Sequence, residues 1–194
     1  MTVFVHFLRW SVGLAVAETQ TTLLERACLV KHAKGRLRLA EIGVWHGVTT
    51  RLLRQAMAQQ GILFAIDPFL KGRIGFSFQK IIAQTEVVKE WNGTVRWLRM
   101  TGQLAASQKE IRLAPIDFLF IDGDHSFEGI RGDWETWSPL ISKGGVVALH
   151  DSRSTSERPI DGAGSVRFTR SVILHDPRFT LVDEVDSLTV MRRI

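Results

Sequence analysis

The chain has 194 residues, 45% of them hydrophobic and 23% charged, with 25 Lys and Arg against 20 Asp and Glu. That length suits one domain (1–194) with a full core and leaves little room for a second, and the composition is that of a globular protein rather than a disordered or fibrous one. The single cysteine, Cys28, excludes an intramolecular disulfide and any multi-cysteine metal site. The net charge of +5 is scattered along the chain, and argues only weakly for an anionic partner.

Val3–Ala17 is apolar and ends in Ala15-Val16-Ala17, like a signal-peptide cleavage site. No Lys or Arg precedes the run, however, and His6 and Arg9 interrupt it. It is also too short to span a bilayer comfortably. Residues 1–18 are therefore expected to form an amphipathic cap or lid that packs on the domain, covers a site or meets a partner chain, with a homodimer as one option. Thr19–Ala33 reads as a helix, with Leu23, Leu24, Ala27 and Val30 near helical spacing. Cys28 within it is expected to be a buried, inert thiol, which fits a reducing, cytoplasmic setting.

A strand from about Leu37 to Ile42 leads into a turn holding Gly43 and Gly47. Thr49–Gln60 reads as a helix stopped by Gly61, and Ile62–Ile66 as a short buried strand ending at Asp67-Pro68. The glycine-containing, basic Lys71–Phe78 reads as a loop, Gln79–Trp91 as a helix, Thr94–Met100 as a strand and Leu104–Leu113 as a helix. Ile116–Ser152 then reads as strand, acidic loop, helix, Gly-Gly turn, strand and second acidic loop. Ser152–Ser165 has loop composition, Val166–Leu174 is helical in pattern, and the tail predicts a hairpin turning near Asp186-Ser187. Five β–α units and a closing antiparallel pair imply an α/β doubly wound sheet.

The strands at Ile116 and Gly145 are continuous apolar runs, as expected where both faces of a parallel sheet are covered. They end in Asp122, Asp124 and His125, and in His150 and Asp151. Ligands bind outside the carboxyl ends of such strands, so these groups mark a candidate active site. The turn Glu41-Ile42-Gly43-Val44-Trp45-His46-Gly47 follows a strand and opens a helix, but carries Trp45 where a dinucleotide fingerprint needs glycine. No Walker loop is present. Asp67, ending the next strand, is suited to accept hydrogen bonds from a ribose diol. His46 lies inside the turn, where ligand contact and packing are equally open readings. Trp91, Trp97, Trp134 and Trp137 are expected in or near the core, and Trp45 near a ligand.

The segments EIGVWHGVTT, FAIDPF, FLFIDGDHSFEGIRGDW and KGGVVALHD, in that order and spacing, resemble the class I S-adenosylmethionine-dependent methyltransferases. More narrowly, they resemble small-molecule O-methyltransferases of the macrocin, sugar and catechol type, over about Thr19 to the C-terminus. The resemblance implies a Rossmann-like sheet of about seven strands, mostly parallel, with helices on both faces. It implies that Glu41, Gly43 and Gly47 line the methionine part of the cofactor, with Trp45 beside it. Asp67 would bind the ribose, Gly102 and Gln103 would flank the adenine, and Asp122 would border the cofactor. Asp122, His150 and Asp151 fall where metal-dependent members hold a divalent ion. An imidazole at 150 weakens the case for magnesium and leaves manganese or no metal as alternatives. His125 is the favoured general base, since a histidine's ordinary pKa suits proton abstraction near neutrality; Asp124 is the alternative.

The expected acceptor is a small hydroxylated molecule. Base-amino methylation calls for an Asn/Asp-Pro-Pro-aromatic motif where this chain has Asp122-Gly123-Asp124-His125, and C5-cytosine chemistry calls for a cysteine in that region. Two alternatives stay open: an RNA-directed methyltransferase, and a non-catalytic S-adenosylmethionine-binding protein.

Overall fold

A computed structural model describes residues 3–72 and 75–194; Arg73 and Ile74 of the expected Lys71–Phe78 loop lie outside the described residues. Seven strands form one sheet: β1 (Arg38–Ile42), β2 (Ile62–Ile66), β3 (Thr94–Leu98), β4 (Ile116–Ile121), β5 (Ile141–Leu149), β6 (Phe179–Val185) and β7 (Leu188–Arg193). Their order is β3-β2-β1-β4-β5-β7-β6. Pairing is parallel from β3 through β5, and β7 pairs antiparallel with both β5 and β6. The expected doubly wound sheet with a closing hairpin is therefore the observed one, and the turn falls at Asp186-Ser187 as predicted.

Among the described residues eight α-helices accompany the sheet: α1 (Val3–Ser11), α2 (Leu23–Ala33), α3 (Val48–Ala56), α4 (Phe78–Val87), α5 (Gly102–Ala106), α6 (Lys109–Arg112), α7 (Phe127–Trp137) and α8 (Gly164–Ser171). Strand residues alternate between two cores, as a period of two requires. Ala40, Ile42, Leu119, Ile121, Val147 and Leu149 pack with Ala105 of α5, Trp134 and Trp137 of α7 and Phe168 of α8. Leu39, Leu63, Phe118, Phe120, Val146 and Ala148 pack with Cys28 and Leu29 of α2 and Leu53 of α3. α1 lies outside both, its Phe4 and Phe7 rings 5.4 and 4.6 Å from Phe78 of α4.

Several boundaries differ from expectation for local reasons. α2 starts at Leu23 because Thr22 forms a capping box with Glu25. Its buried side carries Glu25, Cys28, Leu29, His32 and Ala33, whereas Leu23 and Leu24 are exposed. α3 stops at Ala56 because the Ala58 amide turns to the Arg36 carbonyl (2.9 Å), and Gly61 instead begins the entry to β2. The Leu104–Leu113 helix is two short helices separated by Ser107 and Gln108. Gly144 and Gly145 lie within β5 rather than in a separate turn. There the register jumps from Ile116↔Ile141 to Phe118↔Val146, and Gly144 has φ of 76°. Trp134 and Trp137 are buried and Trp97 is partly covered, but Trp91 is 88% exposed.

At the carboxyl edge of the sheet the ladder runs one residue past each central strand. The amide of Asp67 bonds the Leu98 carbonyl, Gly43 that of Ile66, Asp122 that of Ile42 and His150 that of Ile121, at 2.8–3.1 Å. The first residue of each loop is thereby held by its neighbouring strand.

Candidate active site

Two clefts open at this edge, on either side of the loops after β1 and β4. The first, about 370 Å³, is lined by the ends of β1 and β2, by Thr101, Gly102 and Gln103, and by Asp122, Gly123, Asp124 and Asp133. The second, about 240 Å³, is lined by Thr19 and Gln20, by Val48 and Thr49 at the start of α3, and by His125. Gly43, Trp45, Asp122 and Gly123 border both.

The glycine turn allows this arrangement. Gly43 has φ of 88°, and a Cβ there would lie 2.0 Å from the Asp122 carbonyl oxygen; only glycine lets the β1 and β4 loops approach so closely. Gly47 has φ of 75° and packs against α4, where a Cβ would come within 2.8 Å of the Ala83 carbonyl oxygen. Gly47 thus shapes the turn without lining either cleft. No side chain caps the start of α3, leaving its first amides for an anionic group. Trp45, at φ of 51°, projects into the mouth of both clefts.

Asp67 accepts hydrogen bonds from the amides of Val44 (3.1 Å), Trp45 (3.3 Å) and Phe69 (2.7 Å), so it ties the turn to β2 while lining the first cleft. Gly102 and Gln103 line the same cleft. The Gly102 carbonyl accepts from Trp137 Nε1 (2.9 Å), and Gln103 Nε2 donates to the Gly129 carbonyl (3.3 Å). Glu41 is fully buried beneath the turn and reaches neither cleft. Burial outweighs the opposing Thr50 hydroxyl and, reinforced by the charges of Asp122 and Asp67, pushes its carboxyl well above the usual range.

The acids and histidines after β4 and β5 form one network. His150 has no exposed side-chain surface; its Nδ1 lies 2.8 Å from Asp122 Oδ1 and its Nε2 3.4 Å from Glu25 Oε2. Burial opposes charge on the ring, but hydrogen bonds to Asp122 and Glu25 and the nearby Asp122 and Asp151 charges prevail, pushing it up to about 10. Glu25 is the reciprocal case. Burial raises its pKa, yet hydrogen bonding to His150, Thr22 and Ser187 brings it down to about 2. Asp151, at φ of 49°, is paired with Arg158 at 2.5 Å. His125 Nε2 is 3.5 Å from Asp122 Oδ1 and 3.9 Å from Asp151 Oδ2, and its side chain keeps 37% exposure. Asp124 instead folds back: its Oδ1 accepts from the Ser126 amide (2.9 Å), and it lines only the first cleft.

Asp122, His125 and His150 offer donor atoms within 4.8 Å of one another. Asp122 and the acids around the group are already matched, with His150 between Asp122 and Glu25 and Arg158 on Asp151. Magnesium prefers oxygen donors, and of these three residues Asp122 alone supplies one. Away from the network, the N-terminal segment docks on the glycine turn. His6 stacks on His46 (4.8 Å, 12°), and His46 Nδ1 accepts the Glu18 amide (3.1 Å). Burial, with His6 adding, brings His46 down to about 4, so it packs as a neutral ring. Cys28 is buried, and burial together with Asp183 pushes its thiol up to about 11, as an inert residue requires.

Residues 40–152, more than half of the chain, match the model of a methyltransferase domain family. The chain belongs to this methyltransferase family. Among curated proteins it is 26% identical over 129 residues to the uncharacterized protein y4gI of Sinorhizobium fredii; the match covers 62% of this chain but only 14% of that protein. Several solved structures share the fold, among them the following three. Rv0187 from MTB, cofactor-bound, has a TM-score of 0.70 at 14% identity, covering 98% of this chain and 89% of that one. The O-methyltransferase TomG from Streptomyces achromogenes, in complex with SAM, has 0.66 at 15%, covering 97% and 86%. The O-methyltransferase from Bacillus cereus, in complex with SAH, has 0.65 at 18%, covering 99% and 90%. Among the described residues no helix is long and apolar enough to cross a membrane.

Three residues of the candidate site were not singled out from sequence: Glu25, Asp133 and Arg158. Glu25 and Asp133 do leave a trace, because each is an acid on the buried side of its helix. Arg158 lies in an irregular loop and leaves none.

Proposed function

We propose that this methyltransferase uses S-adenosylmethionine to methylate a hydroxyl of a small molecule. The nucleoside is assigned to the first cleft, with Asp67 toward the ribose and Gly102 and Gln103 beside the base. The amino-acid tail is assigned to the second cleft, where the uncapped start of α3 suits a carboxylate. When bound, the cofactor supplies a methyl group activated on a sulfonium sulfur. The fold relatives crystallised with SAM or SAH support the cofactor.

The observation that carries O-methylation is the position of His125. It is a partly exposed imidazole that lines the second cleft beside Asp122 and Gly123, residues bordering both clefts. With Nε2 turned to Asp122 and Asp151, Nδ1 is the ring nitrogen left to accept the acceptor's hydroxyl proton. Asp122 and Asp151 stabilise the imidazolium that results. His150 and Arg158 hold those two acids in place as internal cations, so the reading requires no metal. Trp45 borders both clefts and Thr19 and Gln20 border the second, and together they limit water.

Replacing His125 by Asn tests the reading. Transfer to a hydroxylated acceptor should fall about 10²–10⁴-fold, while S-adenosylhomocysteine affinity, measured by calorimetry, stays at the wild-type value. Unchanged turnover would remove His125 as the base. Failure of the wild type to bind the cofactor product would remove the cofactor assignment itself.

A further inference from the structure

The N-terminal helix is apolar on two sides, and the fold covers one of them. Toward the domain, His6 is buried against His46, and the Phe4 and Phe7 rings meet Phe78 of α4. On the outer side Leu8 and Val12, one helical turn apart, are 47% and 68% exposed. Leu14, whose amide closes the helix end on the Arg9 carbonyl (2.8 Å), is 69% exposed. The apolar surface continues beyond α1. Leu70 and Phe76, in the stretch that leads into Phe78, are 82% and 62% exposed. A helix that is apolar all round normally lies buried, and apolar side chains gathered at the surface mark an interaction site.

Charge selects the occupant. Residues 3–17 and 68–85 contain no Asp or Glu, but carry Arg9, Lys71 and Lys80. These three make no ion pair among the described residues, whereas Lys31, Lys89, Arg131 and Arg170 elsewhere are paired with acids. The acids that flank the two stretches are engaged as well, Glu18 by His6 (3.1 Å) and Glu86 by Arg51 (3.0 Å). A second copy seated face to face here would set these basic groups against their own counterparts, with no acid from either stretch between them. An anionic lipid interface satisfies both demands: apolar side chains enter the acyl boundary while Arg and Lys heads stay among the phosphates. Trp45, at the mouth of both clefts, shares a smaller cleft of about 200 Å³ with Val3 and His6 of α1, so docking there brings the cleft mouths near the lipid.

We propose that the outer side of α1 and the stretch before α4 form a docking surface for an anionic membrane interface, on which the chain lies without spanning it. The test is co-sedimentation of the full chain with vesicles of phosphatidylcholine, alone or with an equal part of phosphatidylglycerol, at low and high salt. Wild type should bind the anionic vesicles about tenfold more tightly than the neutral ones, and the difference should shrink as salt rises. Leu70→Ser combined with Phe76→Ser should weaken that binding at least tenfold, and Arg9→Gln combined with Lys71→Gln about tenfold. Both variants should keep the wild-type melting temperature, because all four side chains lie at the surface. Absence of wild-type binding to anionic vesicles, or equal binding to both kinds, overturns the proposal. So does wild-type affinity in the Leu70→Ser, Phe76→Ser variant. Should that variant not fold, Val12→Ser serves in its place: about fivefold weaker binding is expected, and unchanged affinity overturns the proposal equally. A wild-type dimer in sedimentation velocity that the Leu70→Ser, Phe76→Ser variant loses, without vesicle binding, would assign the surface to a second copy instead.

Discussion

Replacing Glu25 by Ala should be among the most destabilising single changes in the chain. Its Oε2 accepts from the Thr22 amide (2.8 Å), and its Oε1 from the Ser187 amide (2.9 Å) and hydroxyl (2.7 Å). The carboxylate also faces the buried His150 ring at 3.4 Å. Removing one partner of a buried charge pair costs about 3–5 kcal/mol, a large share of the roughly 5–15 kcal/mol that holds a domain folded. Urea unfolding followed by tryptophan fluorescence measures it. Glu25→Gln keeps an acceptor for Ser187 and should fall between, and adding His150→Gln to it should recover part of the loss. The pH profile carries the same signature. Glu25 is held at about 2, below its ordinary 4.5, so its contribution is complete above pH 4.5 and is lost as pH falls toward 2. His150 is raised to about 10 from 6.5, so its contribution is complete below pH 6.5 and is lost as pH rises toward 10. Wild type should therefore gain most over Glu25→Ala between those limits. A variant within about 1 kcal/mol of wild type, or one with the wild-type pH profile, would refute the reasoning.

Gly43→Ala should abolish S-adenosylhomocysteine binding and lower the melting temperature, because its Cβ would meet the Asp122 carbonyl oxygen at 2.0 Å at a φ of 88°; calorimetry on the soluble variant checks this, and wild-type affinity would contradict it. Methyl transfer should be unchanged by chelator and by added magnesium or manganese, since Asp122 and Asp151 already carry internal cations. A chelator-induced loss restored by either ion would mean that the ion pairs open to admit a metal.

The strands and the rim residues were legible because both depend on short stretches of chain. A parallel strand covered on both faces is a local apolar run, and the residue after it is then placed at the rim; Asp67, Asp122 and His150 follow directly. The network around them was not legible, since it joins distant segments. Glu25 meets Ser187 across 162 residues, and no pattern within α2 signals that pairing. The same contact explains the misjudged face of that helix. With Glu25 drawn to Ser187 and His150, Leu23 and Leu24 turn outward despite their hydrophobicity. The Gly144-Gly145 pair looked like a turn because glycine marks turns and bulges alike, and only the register with β4 separates them.

The amide bonds at the carboxyl edge have a consequence for how this scaffold can change. Asp67, Gly43, Asp122 and His150 each hang by their own N–H from the last carbonyl of a neighbouring strand. The position of each α-carbon is thus a property of the sheet, whatever side chain it carries. A substitution such as acid to histidine at position 150 exchanges the chemical group while its anchorage stays put. The rim behaves as a row of fixed sockets, and reaction chemistry can drift in an evolving lineage without the backbone having to be reinvented.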